Sequence, residues 1–117
     1  EENETNCLGV LPFSVRKFTA TKSDPRLKVP QMGWNRIRTF RGPLFEGIPE
    51  DSFMYFANSF RVPESASAAA HSEYGGEYVC AVSKGNFHGV QFHPEKSAAL
   101  GMRVLENFLS LASSRNV

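Results

Sequence analysis

Hydrophobic and polar positions divide this chain into short, strand-sized runs followed by one long helical pattern. Val10 to Phe18 alternates loosely and gives way to a polar stretch, Thr19 to Arg26. Val29 to Asn35 contains Pro30, which donates no ladder hydrogen bond, so an extended edge or loop is expected there, leading into Asn35–Arg38. Gly42-Pro43 and Gly47-Ile48-Pro49 punctuate turns, with a short helical turn expected around Leu44-Phe45-Glu46. Ser52 to Ala57 is a continuous apolar and aromatic run between turn formers, which predicts a strand buried on both faces. Ala66 to His71 is ambiguous, because alanine favours helix yet the segment is short and lies between strands. Gly75-Gly76 turns the chain into an apolar strand, Glu77 to Val82, and Lys84-Gly85-Asn86 forms a hairpin connection into Phe87 to Phe92.

The helical pattern runs from Ala98 to about Ser113, with Ser97 in the N-cap position. Val104, Leu105, Phe108, Leu109 and Ala112 share one face, a stripe expected to pack into the core. Strands first and one helix last predict an α/β chain whose mixed sheet is closed by a C-terminal helix. A single helix is too few to cover both faces of a stand-alone doubly wound sheet.

Size and composition narrow the class without naming it. At 117 residues the chain is one modest domain or part of a larger one, and ten phenylalanines supply core bulk. The polar N-terminus, Glu1 to Asn6, reads as a loop or frayed end. No run of about 18 apolar residues and no charged-then-apolar leader is present, so no membrane contact is expected. A formal net charge of +1 with interspersed signs argues against nucleic acid as a partner. The one basic cluster, Arg36, Arg38 and Arg41, reads as a solvated strand face, with Arg36 and Arg38 on the same side. Cys7 and Cys80 are too few for a disulfide framework and lack metal-ligand spacing, which fits a reduced, cytoplasmic setting without metal or cofactor.

The chemistry concentrates in Gly89-Val90-Gln91-Phe92-His93-Pro94-Glu95-Lys96-Ser97. Pro94 ends the strand, so His93 projects from the strand's C-terminal end, where open α/β sheets bind ligands. Residues i and i+2 of an extended segment point the same way, which lets Glu95 reach the imidazole. A carboxylate in that position fixes the tautomer of a histidine base and stabilises the imidazolium it becomes. The same pair also occurs as an ordinary strand end, and His-Pro-Glu alone does not make a zinc site without a following Pro-Cys-x-x-Cys. His71 and His88 lie on other strands and read as surface or hairpin residues.

The segment Gly89–Ser97 resembles the C-terminal triad segment of class I glutamine amidotransferases. More narrowly, the chain is similar to the glutaminase subunits of imidazole glycerol phosphate synthase, which serve histidine biosynthesis. Cys7-Leu8-Gly9-Val10-Leu11-Pro12 with Val15-Arg16, Lys28 to Asn35, Tyr55 to Phe60, His71 to Gly76 and Lys84-Gly85-Asn86 carry the likeness in matching order, over essentially the whole chain. The resemblance implies a flavodoxin-like amidotransferase domain of which residues 1–117 are the C-terminal portion. It implies a cysteine thiolate attacking the glutamine side-chain amide, with His93 as the assisting base and Glu95 orienting it. Backbone at Asn58, Ser59 and Phe60 would bind the glutamine α-carboxylate and amine, although Asn58 stands where the family usually has histidine. Ammonia would pass to a (β/α)8-barrel cyclase subunit. Pro30, Met32, Gly33, Trp34, Asn35 and Lys96 are the implied partner interface. Gln31 replaces a common family histidine, a change expected to have no chemical consequence.

The nucleophile is not expected in this chain. A nucleophile elbow needs a buried strand before it and a helix after it, whereas a polar tail precedes Cys7 and Pro12 follows closely. Cys7 falls instead where the family carries a glycine, downstream of its true nucleophile. Cys80 sits in an apolar strand, where a thiol behaves as a small hydrophobe. The N-terminal half with the elbow is therefore expected to lie elsewhere, and the chain alone to be inactive. A non-catalytic interaction module on the same scaffold, another class I amidotransferase and a γ-glutamyl hydrolase are the competing expectations.

Overall fold

The computed structural model describes residues 15–18 and 27–115. Among these, seven strands and one helix appear in order: β1 Arg16–Lys17, β2 Gln31–Ile37, β3 Ser52–Asn58, β4 Phe60–Arg61, β5 Ala68–Glu73, β6 Glu77–Lys84, β7 Phe87–Val90 and α1 Ala98–Arg115. Two 3-10 turns, Pro43–Phe45 and Pro94–Lys96, precede β3 and α1 respectively. Among the described residues the pairings are all antiparallel: β1 with β4, β2 with β3, and β5-β6-β7. Backbone bridges Arg38–His71 and Val62–Val79 tie the smaller ladders to the three-stranded sheet. Strands first and a closing C-terminal helix are as the sequence leads one to expect.

Several expectations change in the structure. The stretch after Pro30 is a full strand from Gln31 onward, because Pro30 precedes the ladder and leaves every later donor available. The ambiguous alanine segment is strand β5, whose partner β6 overrides alanine's local preference. The run in β3 is not buried on both faces. Ser52, Met54, Phe56 and Asn58 turn inward while Phe53 stays exposed and Tyr55 and Ala57 are half-buried. The strand enclosed on both sides is β6, where Tyr78, Val79, Cys80, Ala81 and Val82 are consecutively buried. Its position between β5 and β7 explains this: one face meets the main core and the other meets Val62.

The main core joins Phe18, Ile37, Phe45, Met54, Phe56, Tyr78, Cys80, Phe92 and Val104. Its rings meet edge to face, with Phe18–Tyr78 at 5.3 Å and Phe56–Phe92 at 5.9 Å between centroids. In α1 the buried line is Gly101 and Val104, flanked by half-buried Leu100, Asn107 and Leu111. The expected core stripe is therefore rotated outward: Leu105, Phe108 and Leu109 are exposed, Leu109 to 63%. The helix is oriented by polar bonds as much as by packing. Asn107 Nδ2 donates to the carbonyls of Leu44 and Glu46, both at 2.9 Å, and Arg103 Nε donates to Glu46 O.

Candidate functional site

His93 leaves the end of β7 in extended conformation (φ −101°, ψ 98°) and opens the Pro94–Lys96 turn. Three contacts hold it in place. Gln91 N donates to Cys80 O at 2.8 Å, His93 N donates to Tyr55 O at 2.9 Å, and Phe92 between them is buried in the core. The segment is thus stitched to β6 on one side and β3 on the other, so the imidazole stands on rigid backbone. Glu95 reaches it through a 3-10 turn rather than an extended i, i+2 step. Glu95 Oε1 lies 3.2 Å from His93 Nδ1, with both side chains about half-exposed. Binding of Nδ1–H by the carboxylate selects the tautomer whose Nε2 is free to take a proton.

Ser97 does not cap the helix as its position leads one to expect. Its hydroxyl donates to His93 O at 2.6 Å and accepts from Tyr55 N at 2.9 Å. The residue is 1% exposed and works as a clasp between β3 and the His93 turn. This role has no local signal, since Tyr55 lies 42 positions away. The residue after it, Ala98, takes φ +56°, so the helix begins in a left-handed conformation that alanine rarely adopts.

The expected partner residues split between the two faces of β2. Register places Met32 opposite Ala57, Trp34 opposite Tyr55 and Arg36 opposite Phe53. Met32, Trp34 and Arg36 are exposed on that outer face, with Trp34 edge-on to Tyr55 at 6.0 Å. Arg36 lies over the Phe53 ring at 5.2 Å, and Lys96 Nζ lies 5.9 Å from the Tyr55 ring. Lys96 therefore joins Trp34 through Tyr55, a residue that sequence reasoning does not single out. Arg38, two positions beyond Arg36, pairs with Asp51 at 3.5 Å. Pro30 is exposed just before the strand, and Gly33 takes φ +127°, which glycine alone tolerates. A shallow cleft lines this strand around Gly33 and includes Gln31, Trp34, Glu73 and Tyr74. It flanks β2 rather than His93.

Asn35 points the other way. Its Nδ2 donates to Gln31 Oε1 at 2.7 Å and to Glu73 O at 2.6 Å. Gln31 in turn donates from Nε2 to Asn58 Oδ1 at 3.1 Å and Tyr78 OH at 2.8 Å. Asn58 Nδ2 closes the chain on Phe60 O at 3.1 Å. Asn58 is therefore a buried anchor, while Ser59 O accepts from Phe18 N at 2.9 Å and Phe60 enters β4. Gln31 carries three of these bonds, a structural role that its place in the sequence does not announce. Asn58 follows Tyr55 by three strand residues, so this segment lies about 10 Å from the His93 attachment point.

His71 is not a surface residue: it pairs with Val79 in β5–β6, bridges to Arg38, and reaches Glu64 at 3.8 Å. His88 accepts or donates at Nδ1 with Ser83 Oγ at 2.8 Å across the hairpin, as a hairpin residue should. Cys80 is 1% exposed, and burial pushes its thiol far above the ordinary range, so it is no nucleophile. Cys7 lies outside the described residues. The assembled site is thus a histidine and carboxylate able to shuttle a proton, beside an apolar, cation-flanked surface.

Known proteins resemble this chain in sequence and in fold. The subunit HisH of imidazole glycerol phosphate synthase from Shewanella sediminis is 47% identical over 108 residues, covering 92% of this chain and 48% of that protein. The HisH subunit from Bacteroides thetaiotaomicron is 45% identical over 111 residues, covering 95% of this chain and 56% of that protein. The chain thus spans about half the length of the curated relatives it matches. A crystal structure described as that of a GMP synthase protein from Thermoplasma acidophilum superposes with a TM-score of 0.68 at 19% identity, over 90% of this chain and 51% of that one. Residues 7–112 match the family described as "Glutamine amidotransferase class-I", and the chain belongs to that family.

Proposed function

We propose that this chain is the histidine- and glutamate-bearing portion of a glutaminase that delivers ammonia to a (β/α)8-barrel cyclase, within imidazole glycerol phosphate synthase in the cytoplasm. The observation that carries the reading is the 3.2 Å contact of Glu95 with His93 Nδ1, on a segment clasped between two strands. The nucleophile would be furnished by polypeptide matching the half of the relatives that this chain does not span. Its cysteine gives its thiol proton to His93 Nε2, and the thiolate attacks the side-chain carbonyl carbon of glutamine. The C–N bond then breaks, His93 returns the proton to the departing ammonia, and a glutamyl thioester remains. Water, deprotonated by His93, cleaves the thioester to glutamate and free thiol. Glu95 keeps the imidazolium oriented through both steps. Asn58, Ser59 and Phe60 would present backbone groups to the glutamine α-carboxylate and amine.

The partner reading is supported by the outer ladder of β2 and β3. Met32, Trp34, Phe53 and Tyr55 offer aromatic and apolar area, and Arg36 and Lys96 offer cations at its edges. The same surface would also serve a non-catalytic interaction module, which is the second reading. Co-expression with the nucleophile-bearing half of a HisH relative, followed by a glutaminase assay with and without the cyclase, separates the two. The expected outcome is glutamine hydrolysis that His93→Ala lowers at least about a thousandfold. Hydrolysis unchanged by that substitution overturns the assignment of the base. An assembled but inactive wild type favours the interaction module.

A further inference from the structure

We infer that Gln31 is a positioning residue for the glutamine-binding segment, acting through Asn58; this rests on the glutaminase reading above. Gln31 is 3% exposed and Asn58 1% exposed, so neither amide has bulk water as an alternative partner. Gln31 Nε2 spends its two hydrogens on Asn58 Oδ1 and Tyr78 OH, while its Oε1 is held by Asn35. That arrangement fixes which end of the Asn58 amide faces Gln31, because only an oxygen can accept there. The Asn58 NH2 is thereby turned toward Phe60 O, two residues along, and sets the carbonyl direction in the segment. Tyr78 has its hydroxyl anchored in the core and its ionisation suppressed by burial, so it stays a neutral partner. The relay begins at Glu73 O on β5 and ends at Phe60 O, and Gln31 bonds directly to Asn35, Asn58 and Tyr78.

Gln31 belongs to the same strand as Met32 and Trp34, whose side chains face the opposite way. A shift of β2 under a docked partner therefore moves the Gln31 amide against Asn58. The positioning role and the partner surface share one strand, and a substitution at Gln31 reaches the first without touching the second.

Two measurements test this. In the co-expressed glutaminase with its cyclase, Gln31→Leu raises KM for glutamine about tenfold and leaves kcat within about threefold, the size expected from losing the one of its three bonds that reaches Asn58. Asn58→Leu does the same, and the double variant is no worse than either single one, as two residues on one path require. Equal KM values in Gln31→Leu and wild type, or KM effects that multiply in the double variant, overturn the inference. The second measurement is made on the same co-expressed protein. Amide hydrogen exchange across residues 58–61 is about tenfold faster in Gln31→Leu, with exchange in α1 unchanged. Unaltered exchange at 58–61 overturns the positioning role even where no glutaminase activity is obtained, and an inactive wild-type assembly refutes the glutaminase reading instead. Should Gln31→Leu not fold, Gln31→Glu has the same shape, keeps the acceptor for Asn35, removes the donated hydrogens, and is read in the same way.

Discussion

Individual side chains in this protein take on roles that their neighbours in sequence do not foretell. The His93–Glu95 contact is legible because the two residues lie two positions apart, within reach of any turn. Ser97 is legible only as a small polar residue before a helix, the pattern of an N-cap. Its partners are the carbonyl of His93 and the amide of Tyr55, and the second is fixed by tertiary structure alone. Gln31 escapes sequence reasoning for the same reason, since its partners Asn58 and Tyr78 lie 27 and 47 positions away. Buried acids give a residue-scale prediction about pH. Burial raises the pKa of both Cys80 and Tyr78, so each stays protonated in the folded chain where its unfolded counterpart ionises. The unfolded state then binds fewer protons, and stability falls as pH rises through the ordinary thiol and phenol range. Urea denaturation should show Cys80→Ala losing about 1 kcal/mol less between pH 8 and pH 10 than the wild type loses. Equal losses in the two proteins would mean that the Cys80 thiolate is tolerated in place.

At the scale of elements, strand positions are largely readable and their environments are not. The apolar run of β3 hides its own alternation, because aromatic residues also occupy the outward positions Phe53 and Tyr55. Periodicity in α1 identifies an apolar face, yet the face turned to the sheet is set by Gly101, Val104 and Asn107. Asn107 does not enter a hydrophobic pattern, although its bonds to Leu44 O and Glu46 O fix the helix's rotation. Gly101 shows how tightly that face is joined to the site. A methyl group there would lie 2.2 Å from Pro94 O and 2.6 Å from Ser97 Cβ. Backbone and Cβ atoms cannot swing aside as a flexible side chain can, so either α1 or the His-Pro-Glu turn must shift. Gly101→Ala is expected to destabilise the chain by about 3 kcal/mol despite alanine's better helix propensity. A chemical-denaturation midpoint equal to that of wild type would show that the turn carrying His93 is free to move.

For the molecule as a whole, the layout places the His93–Glu95 pair and the proposed docking ladder on adjoining parts of one surface. β3 connects them: Tyr55 accepts the His93 amide at its carbonyl and stands between Trp34 and Lys96 with its ring. The family and the general architecture are readable from motif order along the chain. The second apolar surface, formed by Leu105, Phe108 and Leu109 of α1, is not readable as exposed, since periodicity records only that a face is apolar. The ladder of β2 and β3 has an optical consequence. Trp34 is the chain's one tryptophan, and it stands 52% exposed at the centre of that ladder. Ultraviolet emission excited selectively through indole therefore comes from a single, natively placed fluorophore in contact with water. Titration with the cyclase should move that emission to shorter wavelength and protect it from acrylamide quenching, with no label introduced. A complex that forms while the emission and quenching stay unchanged would place the contact on another surface.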